Sequence, residues 1–226
     1  MNLTFFSDTH NKHMMVSQEH FKGGDIIMCC GDITSRGGES EVRAFLNWYT
    51  TLPYTHKIFI AGNHDFLFED SSTHMIDFIL SDYPNITYLN DSGVDIEGIK
   101  IWGSPVQPTF HNWAFNRDED EIGKHWDLIP DDTNILLVHG PVNGILDMTS
   151  RGESTGCPQL LNKVNNLKEL KIFSSGHIHE SYGRYETDGK LFLNASLLNL
   201  RYELQNRPIT LEYGNNNTLD LGYILK

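Results

Sequence analysis

An α/β architecture, two sheets packed together and covered by helices, is what the pattern of this chain predicts, on three observations. Short apolar or β-branched runs recur along it, amphipathic segments of helical period separate them in the first part, and strand-like segments dominate later. Several of the runs end directly in polar residues and glycine, which marks sharp turns or close backbone approach.

The runs read as buried strands are Leu3 to Phe6, Ile26 to Cys30, Ile58 to Ala61, Ile135 to Val138 and Ile172-Phe173. Helices are predicted over Ser40 to Leu52, with Val42, Phe45, Leu46 and Tyr49 on one face, and over Ser71 to Leu80, with Met75, Ile76, Ile79 and Leu80. A third is predicted over Cys157 to Leu167, with Leu160, Leu161 and Val164. These stripes read as core faces. Ile86 to Leu89, Leu191 to Leu197 and Ile209 to Tyr213 read as further strands, and Val94 to Trp102 changes phase at Glu97-Gly98, which suggests a hairpin there. Asn215-Asn216-Asn217 reads as a turn. No repeat or linker divides the chain, so residues 1–226 are expected to form a single domain.

With 226 residues the chain can bury one substantial core, and 39% hydrophobic with 21% charged residues is the composition of a globular domain. A formal net charge of −13 disfavours duplex nucleic acid and anionic membranes, both of which reward basic surfaces. Carboxylates grouped around cations would account for part of that charge. Cys29, Cys30 and Cys157 make no disulfide framework, so a reducing cytoplasmic setting is the expectation. No stretch approaches the roughly 18 apolar residues of a membrane span, and the N-terminal residues lack a signal-peptide pattern. Nothing in the pattern sets an oligomeric state.

The strand ends deliver five polar clusters: Ser7-Asp8-Thr9-His10, Gly31-Asp32, Gly62-Asn63-His64-Asp65, His139-Gly140 and Gly176-His177-Ile178-His179. Such ends are where open α/β folds place their sites. Asp8 and His10 are two residues apart, as are His177 and His179, so extended geometry would point each pair to one side. Carboxylate oxygen with neutral imidazole nitrogen suits Mn²⁺, Fe²⁺ or Zn²⁺ rather than a thiolate site or an all-oxygen magnesium site. A single Gly-Asp or His-Gly pair is more often turn chemistry than a ligand; five clusters after successive strand-like runs are not explained that way.

The series Asp8-Thr9-His10, Gly31-Asp32, Gly62-Asn63-His64-Asp65, Val138-His139-Gly140 and Gly176-His177-Ile178-His179 resembles the calcineurin-like metallophosphoesterase superfamily, with all five blocks in that family's order. The resemblance implies a four-layer α-β-β-α sandwich with a dinuclear centre of two divalent ions, Mn²⁺ first and Fe²⁺/Fe³⁺ or Zn²⁺ next. It implies Asp8, His10 and His179 as ligands of one ion, Asn63, His139 and His177 as ligands of the other, and Asp32 as the bridge. A bridging group needs two acceptor oxygens, which a carboxylate has and an imidazole lacks. A finer resemblance, to the small class III phosphodiesterase branch that includes the mammalian metallophosphoesterase-domain proteins, rests on Gly103-Ser104-Pro105 with Gln107-Pro108, Asn112-Trp113-Ala114-Phe115-Asn116, His139-Gly140-Pro141, Gly176 to Gly183 and Asn194-Ala195-Ser196. Some animal members of that branch carry glycine where this chain has His177, so here the ligand set looks complete.

The resemblance places His64 near the leaving-group oxygen, with Asp65 orienting or charging its ring, and imidazole suits proton transfer near neutral pH. The competing reading is that His64 packs beside the site. Arg36 and Arg184 follow metal blocks and offer forks of donors to phosphate, against the alternative of surface ion pairs. His111, Asn112, Trp113 and Phe115 are candidates for a pocket wall that would stack a nucleobase, against the alternative that Trp113 and Phe115 are core. The expected partner is a small phosphate ester or nucleotide, and the expected reaction is hydrolysis of a phosphodiester. The alternatives are a phosphomonoesterase, including a protein phosphatase, a nuclease for short strands, and a non-catalytic metal- or nucleotide-binding protein.

Overall fold

The computed structural model describes residues 1–214 and the backbone of 219–220; the Asn215-Asn216-Asn217 turn lies outside the described residues. In chain order the strands are β1 (Asn2–Phe6), β2 (Gly24–Cys29), β3 (Tyr54–Phe59), β4 (Ile86–Tyr88), β5 (Ser92–Ile96), β6 (Ile99–Ser104) and β7 (Gln107–Pro108). They continue with β8 (Asn116–Arg117), β9 (Ile135–Val138), β10 (Ile172–Ser175), β11 (Gly183–Thr187), β12 (Lys190–Asn194), β13 (Ile209–Tyr213) and β14 (Leu219–Asp220). The α-helices are α1 (Glu39–Thr50), α2 (Phe66–Asp70), α3 (Thr73–Leu80), α4 (Glu119–Asp127) and α5 (Pro158–Asn166).

Two six-stranded sheets run β14-β13-β1-β2-β3-β4 and β11-β12-β10-β9-β6-β5. Strands β1 to β4 are mutually parallel, as are β6, β9, β10 and β12, while β5, β11 and β13 join antiparallel. Successive side chains of a strand point to opposite faces, so a strand buried on both sides feeds two cores. Leu3 and Phe5 of β1 and Ile135 and Leu137 of β9 meet between the sheets. Phe6, on the opposite face of β1, packs with Val42, Phe45, Tyr49, Ile76 and Ile79 of α1 and α3. Leu136 and Val138 of β9 pack with Ile122 and Trp126 of α4 and Leu160 and Val164 of α5. Three apolar layers thus separate four layers of backbone, helix, sheet, sheet and helix, which is the expected sandwich.

Local chemistry explains the helix ends. Glu41 of α1 accepts the Gly38 N–H at 3.3 Å and that of Arg36 at 2.9 Å. Ser72 Oγ caps α3 through Met75 N, and α5 opens with Pro158 after Cys157. Helix α4 has no counterpart among the predicted elements because only Ile122 and Trp126 carry its buried face. The Glu97-Gly98 hairpin joins β5 to β6, with both residues at positive φ.

The sheets also meet at their ends. Ser7 bridges to Ser196, Leu197 N donates to Ser7 O at 3.0 Å, and Cys30 Sγ lies 3.2 Å from Ser174 Oγ. The C-terminal ends of β1, β2, β3, β9 and β10 therefore open onto one place.

Candidate metal centre

All seven expected ligands come together there. Asp8, His10 and His179 form one group of donor atoms within 4.8 Å of one another, and Asp32, His139 and His177 form a second. Asn63 joins the second through its Oδ1, 2.9 Å from His139 Nε2. Asp32 lies between the two halves: its Oδ2 is 3.5 Å from His10 Nε2 and 3.4 Å from His139 Nε2. His10, Asp32 and His64 form a third overlapping group, so a His64 ring nitrogen stands at the edge of the cluster.

The backbone route differs from the expected one. Asp8, His10, Asp32 and His177 have φ of 55°, 38°, 51° and 67°. Left-handed turns beyond the strands, not extended pairs, aim Asp8 with His10 and His177 toward the cluster. Glycines make room for this. A Cβ on Gly62 would fall 2.4 Å from Asp32 Oδ1, and one on Gly176 2.2 Å from Asp8 Oδ2. Only an absent side chain allows such approach.

Second contacts orient the ligands. His139 Nδ1 pairs with Cys30 O at 2.8 Å and His179 Nδ1 with Asn199 O at 3.1 Å, leaving each Nε2 toward the carboxylates. Ser196 Oγ donates to Asp8 Oδ2 at 2.7 Å, and the His64 N–H donates to Asp32 Oδ1 at 2.8 Å.

The charges are balanced in pairs. Burial opposes ionisation of Asp8, yet the hydrogen bond and charge of His179 hold it well below the usual carboxylate range; for Asp32 burial is likewise outweighed, chiefly by His139. Burial alone would lower His139 and His179, but the partner carboxylates outweigh it and raise each to about 9. Burial lowers His10 to about 4, and burial together with the charge of His139 lowers His177 to about 3. Each half of the cluster therefore combines a carboxylate, one imidazole that favours its proton and one that stays neutral. A divalent ion bound there would take the place of that proton. His10, only 4% exposed, has no hydrogen-bond partner at either ring nitrogen, as a side chain meant for a ligand bond would. The donor set fits two cations.

Around the cluster opens a cleft of about 530 Å³. His64 and Trp113 line it with ring centroids 4.2 Å apart and planes inclined by 30°. Phe110, Pro108, Pro141, Ile178 and Tyr202 continue the apolar wall, and Gln107, Thr109, Thr149 and Thr155 add polar groups. Neither Arg36 nor Arg184 is among the lining residues; both are exposed. His111 and Asn112 are exposed on the loop before Trp113 and outside the lining too. Phe115 is buried in the core over α1 and α3, in keeping with the alternative given for it, while Trp113 faces the cleft.

The expectation that Asp65 orients the His64 ring needs correction. His64 Nδ1 pairs with Ser35 O at 2.9 Å. The Asp65 carboxylate accepts from Ile33 N, Thr34 N, Thr34 Oγ1 and Gly62 N at 3.2, 2.9, 2.6 and 2.8 Å. Burial first, and the Asp32 charge second, raise Asp65 to about 6 against those hydrogen bonds. Thr34 links the two side by side: its Oγ1, 2.6 Å from Asp65 Oδ1, shares its proton with the backbone carbonyl of His64 at 3.0 Å, not with the ring. Sequence reasoning missed Ser35, Asn199 and Tyr202, for which no local pattern exists; Ser196 lay within the quoted Asn194-Ala195-Ser196 block.

Fold and site together define a dinuclear-metal-binding phosphoesterase fold. Residues 1–181 match the model of the calcineurin-like phosphoesterase family, and the chain belongs to that family. It is 34% identical over 229 residues to the human metallophosphoesterase domain-containing protein 1, covering 91% of this chain and 69% of the relative. Among solved structures it is similar to TT1561 of Thermus thermophilus, with a TM-score of 0.62, 12% identity and coverage of 90% of this chain and 96% of that one. It is also similar to a dimetal phosphatase from Danio rerio, with a TM-score of 0.55, 10% identity and coverage of 93% and 92%. These two structural likenesses carry the fold alone.

Proposed function

We propose that this chain is a phosphodiesterase of the class III branch, hydrolysing small diesters with uncharged arms, cyclic or nucleotide-like esters among them, with Mn²⁺ as the working ion. The observation that carries the diester reading is the charge of the cleft: among the described residues, no lysine or arginine lines it. Two cations at its base would meet the single negative charge of a diester, whereas a monoester dianion or a polyphosphate gains from further cationic side chains that this wall lacks. The apolar side formed by Phe110, Trp113 and Pro141 suits the second ester arm.

A pair of divalent ions in these clusters supplies Lewis-acid polarisation of the phosphate and lowers the pKa of water enough for attack at neutral pH. The residues of the chain do the rest. Asp32 holds the two halves at a common oxygen. His64 lines the cleft with its Nδ1–H donating to Ser35 O and one face against Trp113. A proton for the departing ester oxygen therefore comes from Nε2–H of the imidazolium form, which leaves the neutral Nδ1–H tautomer behind.

The test compares initial rates on bis(p-nitrophenyl) phosphate, p-nitrophenyl phenylphosphonate and p-nitrophenyl phosphate, using stripped protein reloaded with Mn²⁺. The first two are singly charged and should exceed the monoester at least tenfold in kcat/KM. A dominant monoester rate would replace this reading with a phosphomonoesterase. Two bound ions with no turnover on any of the three would favour a binding role.

A further inference from the structure

The turn that closes the first half of the cluster lies beyond residue 181, outside the stretch that matches the family model. It reaches two of the three ligands there by contacts that sequence blocks do not announce. The Asn199 carbonyl accepts from His179 Nδ1 at 3.1 Å, so that His179 Nε2 is the nitrogen beside Asp8 Oδ1, at 3.4 Å. The Tyr202 ring stands edge-on to His10, with centroids 4.8 Å apart and planes at 76°, and to His179 at 5.4 Å and 73°.

Imidazoles that ligate metals are ordinarily oriented by an acceptor on the nitrogen facing away from the ion. His139 has one in Cys30 O, and His179 has one in Asn199 O. His10 has none at either nitrogen. Apart from the Asp32 carboxylate 3.5 Å from its Nε2, its ring direction rests on packing, supplied by the His64 edge at 4.5 Å, the His179 ring at 5.3 Å and Tyr202 at 4.8 Å.

The chain distorts itself to put Tyr202 there. Its φ of 57° is a left-handed conformation that a bulky aromatic rarely adopts. Tyr202 N donates to Asn199 O at 2.8 Å, while Asn199 Oδ1 accepts from Arg201 N at 2.8 Å and from Glu203 N at 3.0 Å. On the other side, Lys12 Nζ donates to the Tyr202 carbonyl and ties the turn to the segment that follows His10. A strained residue held by several independent attachments against a ligand cluster signals a role at that site.

We propose that Asn199 and Tyr202 are positioning residues for the first metal half-site: Asn199 sets the tautomer and direction of His179, and Tyr202 supplies by steric contact the orientation that no hydrogen bond gives His10. The affinity of this half-site is thereby set by the turn between β12 and β13, independently of the half-site built from Asn63, His139 and His177. The proposal rests on the assignment of Asp8, His10 and His179 to one ion.

Titration of metal-stripped protein with Mn²⁺ alone, followed by calorimetry and by electron paramagnetic resonance to separate isolated from spin-coupled ions, tests it. Wild type should bind two ions. Tyr202→Gly removes the ring and relieves the backbone strain, so the stripped protein should melt no lower than wild type, yet its first-site affinity should fall tenfold or more with the second site unchanged. Tyr202→Phe should retain both ions at wild-type affinity. Asn199→Ala keeps the backbone carbonyl that faces His179 but removes the Oδ1 that accepts from Arg201 N and Glu203 N, so by loosening the turn that aims this carbonyl it should weaken the first site alone. Wild-type affinity at both sites in Tyr202→Gly, or equal weakening of both, would overturn the proposal. Asp8→Ala identifies the first half-site independently: if it removes neither ion, the half-site assignment itself has failed and the proposal with it. None of these readouts depends on which ester the protein hydrolyses.

Discussion

Asp32 and His64 are neighbours in the cluster with separable roles. The Asp32 carboxylate lies at 3.5 and 3.4 Å from imidazoles of both halves, so Asp32→Ala should weaken both ions together, as a titration with Mn²⁺ would record. His64→Ala should keep two ions and lower kcat by about 10²–10⁴-fold, the usual worth of a positioned proton donor. Metal loss in His64→Ala equal to that in Asp32→Ala would make His64 a ligand instead, a role its place beside His10 and Asp32 makes a fair rival. Gly176 offers a third residue-scale test. A methyl there would fall 2.1 Å from Ser7 Oγ and 2.2 Å from Asp8 Oδ2, so Gly176→Ala should displace Asp8 and cost first-site affinity at least tenfold.

The elements that carry the site are turns, and they are held in place by carboxylates that lie outside the cleft lining. Asp65, fully buried at the start of α2, joins the β2 and β3 ends through four hydrogen bonds. Asp65→Ala would leave buried donors without partners at about 1–3 kcal/mol each, so its denaturation midpoint should fall markedly. On the next turn, Glu69 of α2 accepts from Phe115 N and, at 2.8 Å, from Arg117 Nη1, while Ala114 N donates to Asn63 O at 3.2 Å. This is how the loop between β7 and β8 presents Phe110 and Trp113 to the cleft. Glu69→Ala should therefore raise KM for an aryl diester several-fold with Mn²⁺ stoichiometry unchanged; an unaltered KM would show that the loop needs no such anchor.

At the scale of the molecule, the cluster couples stability to pH. His139 and His179 bind protons more tightly folded than unfolded, so the stability they add is fully present below their ordinary 6.5 and fades as pH rises through about 9. His10 and His177 act oppositely: they resist protonation in the folded protein, and stability is lost as pH falls from 6.5 toward about 4 and about 3. Thermal melting of the stripped protein should accordingly peak near pH 6.5, the ordinary histidine value from which all four depart. Added Mn²⁺ competes with the protons on His139 and His179, so its stabilising effect should grow between pH 6.5 and about 9. A metal-induced shift in Tm that is flat across that range would contradict the charge balance described above.

Much of the architecture is written locally. The runs at β1, β9 and β10 and the stripes of α1, α3 and α5 are periodic because each must cover one face or two of a sheet, and periodicity is visible in a chain read residue by residue. The seven candidate ligands were equally legible, since each sits at or just beyond the end of such a run and their types and order suit one chemistry. What the tertiary structure decided was everything that depends on which strand ends meet. It turned Asp8, His10, Asp32 and His177 inward through left-handed turns, committed Asp65 to the backbone rather than to His64, and kept Arg36 and Arg184 out of the cleft. It also brought Asn199 against His179, and Tyr202 against His10 from the far end of the chain. Such contacts leave no mark in spacing, because they are made across two sheets whose packing, not whose sequence neighbours, sets the distance.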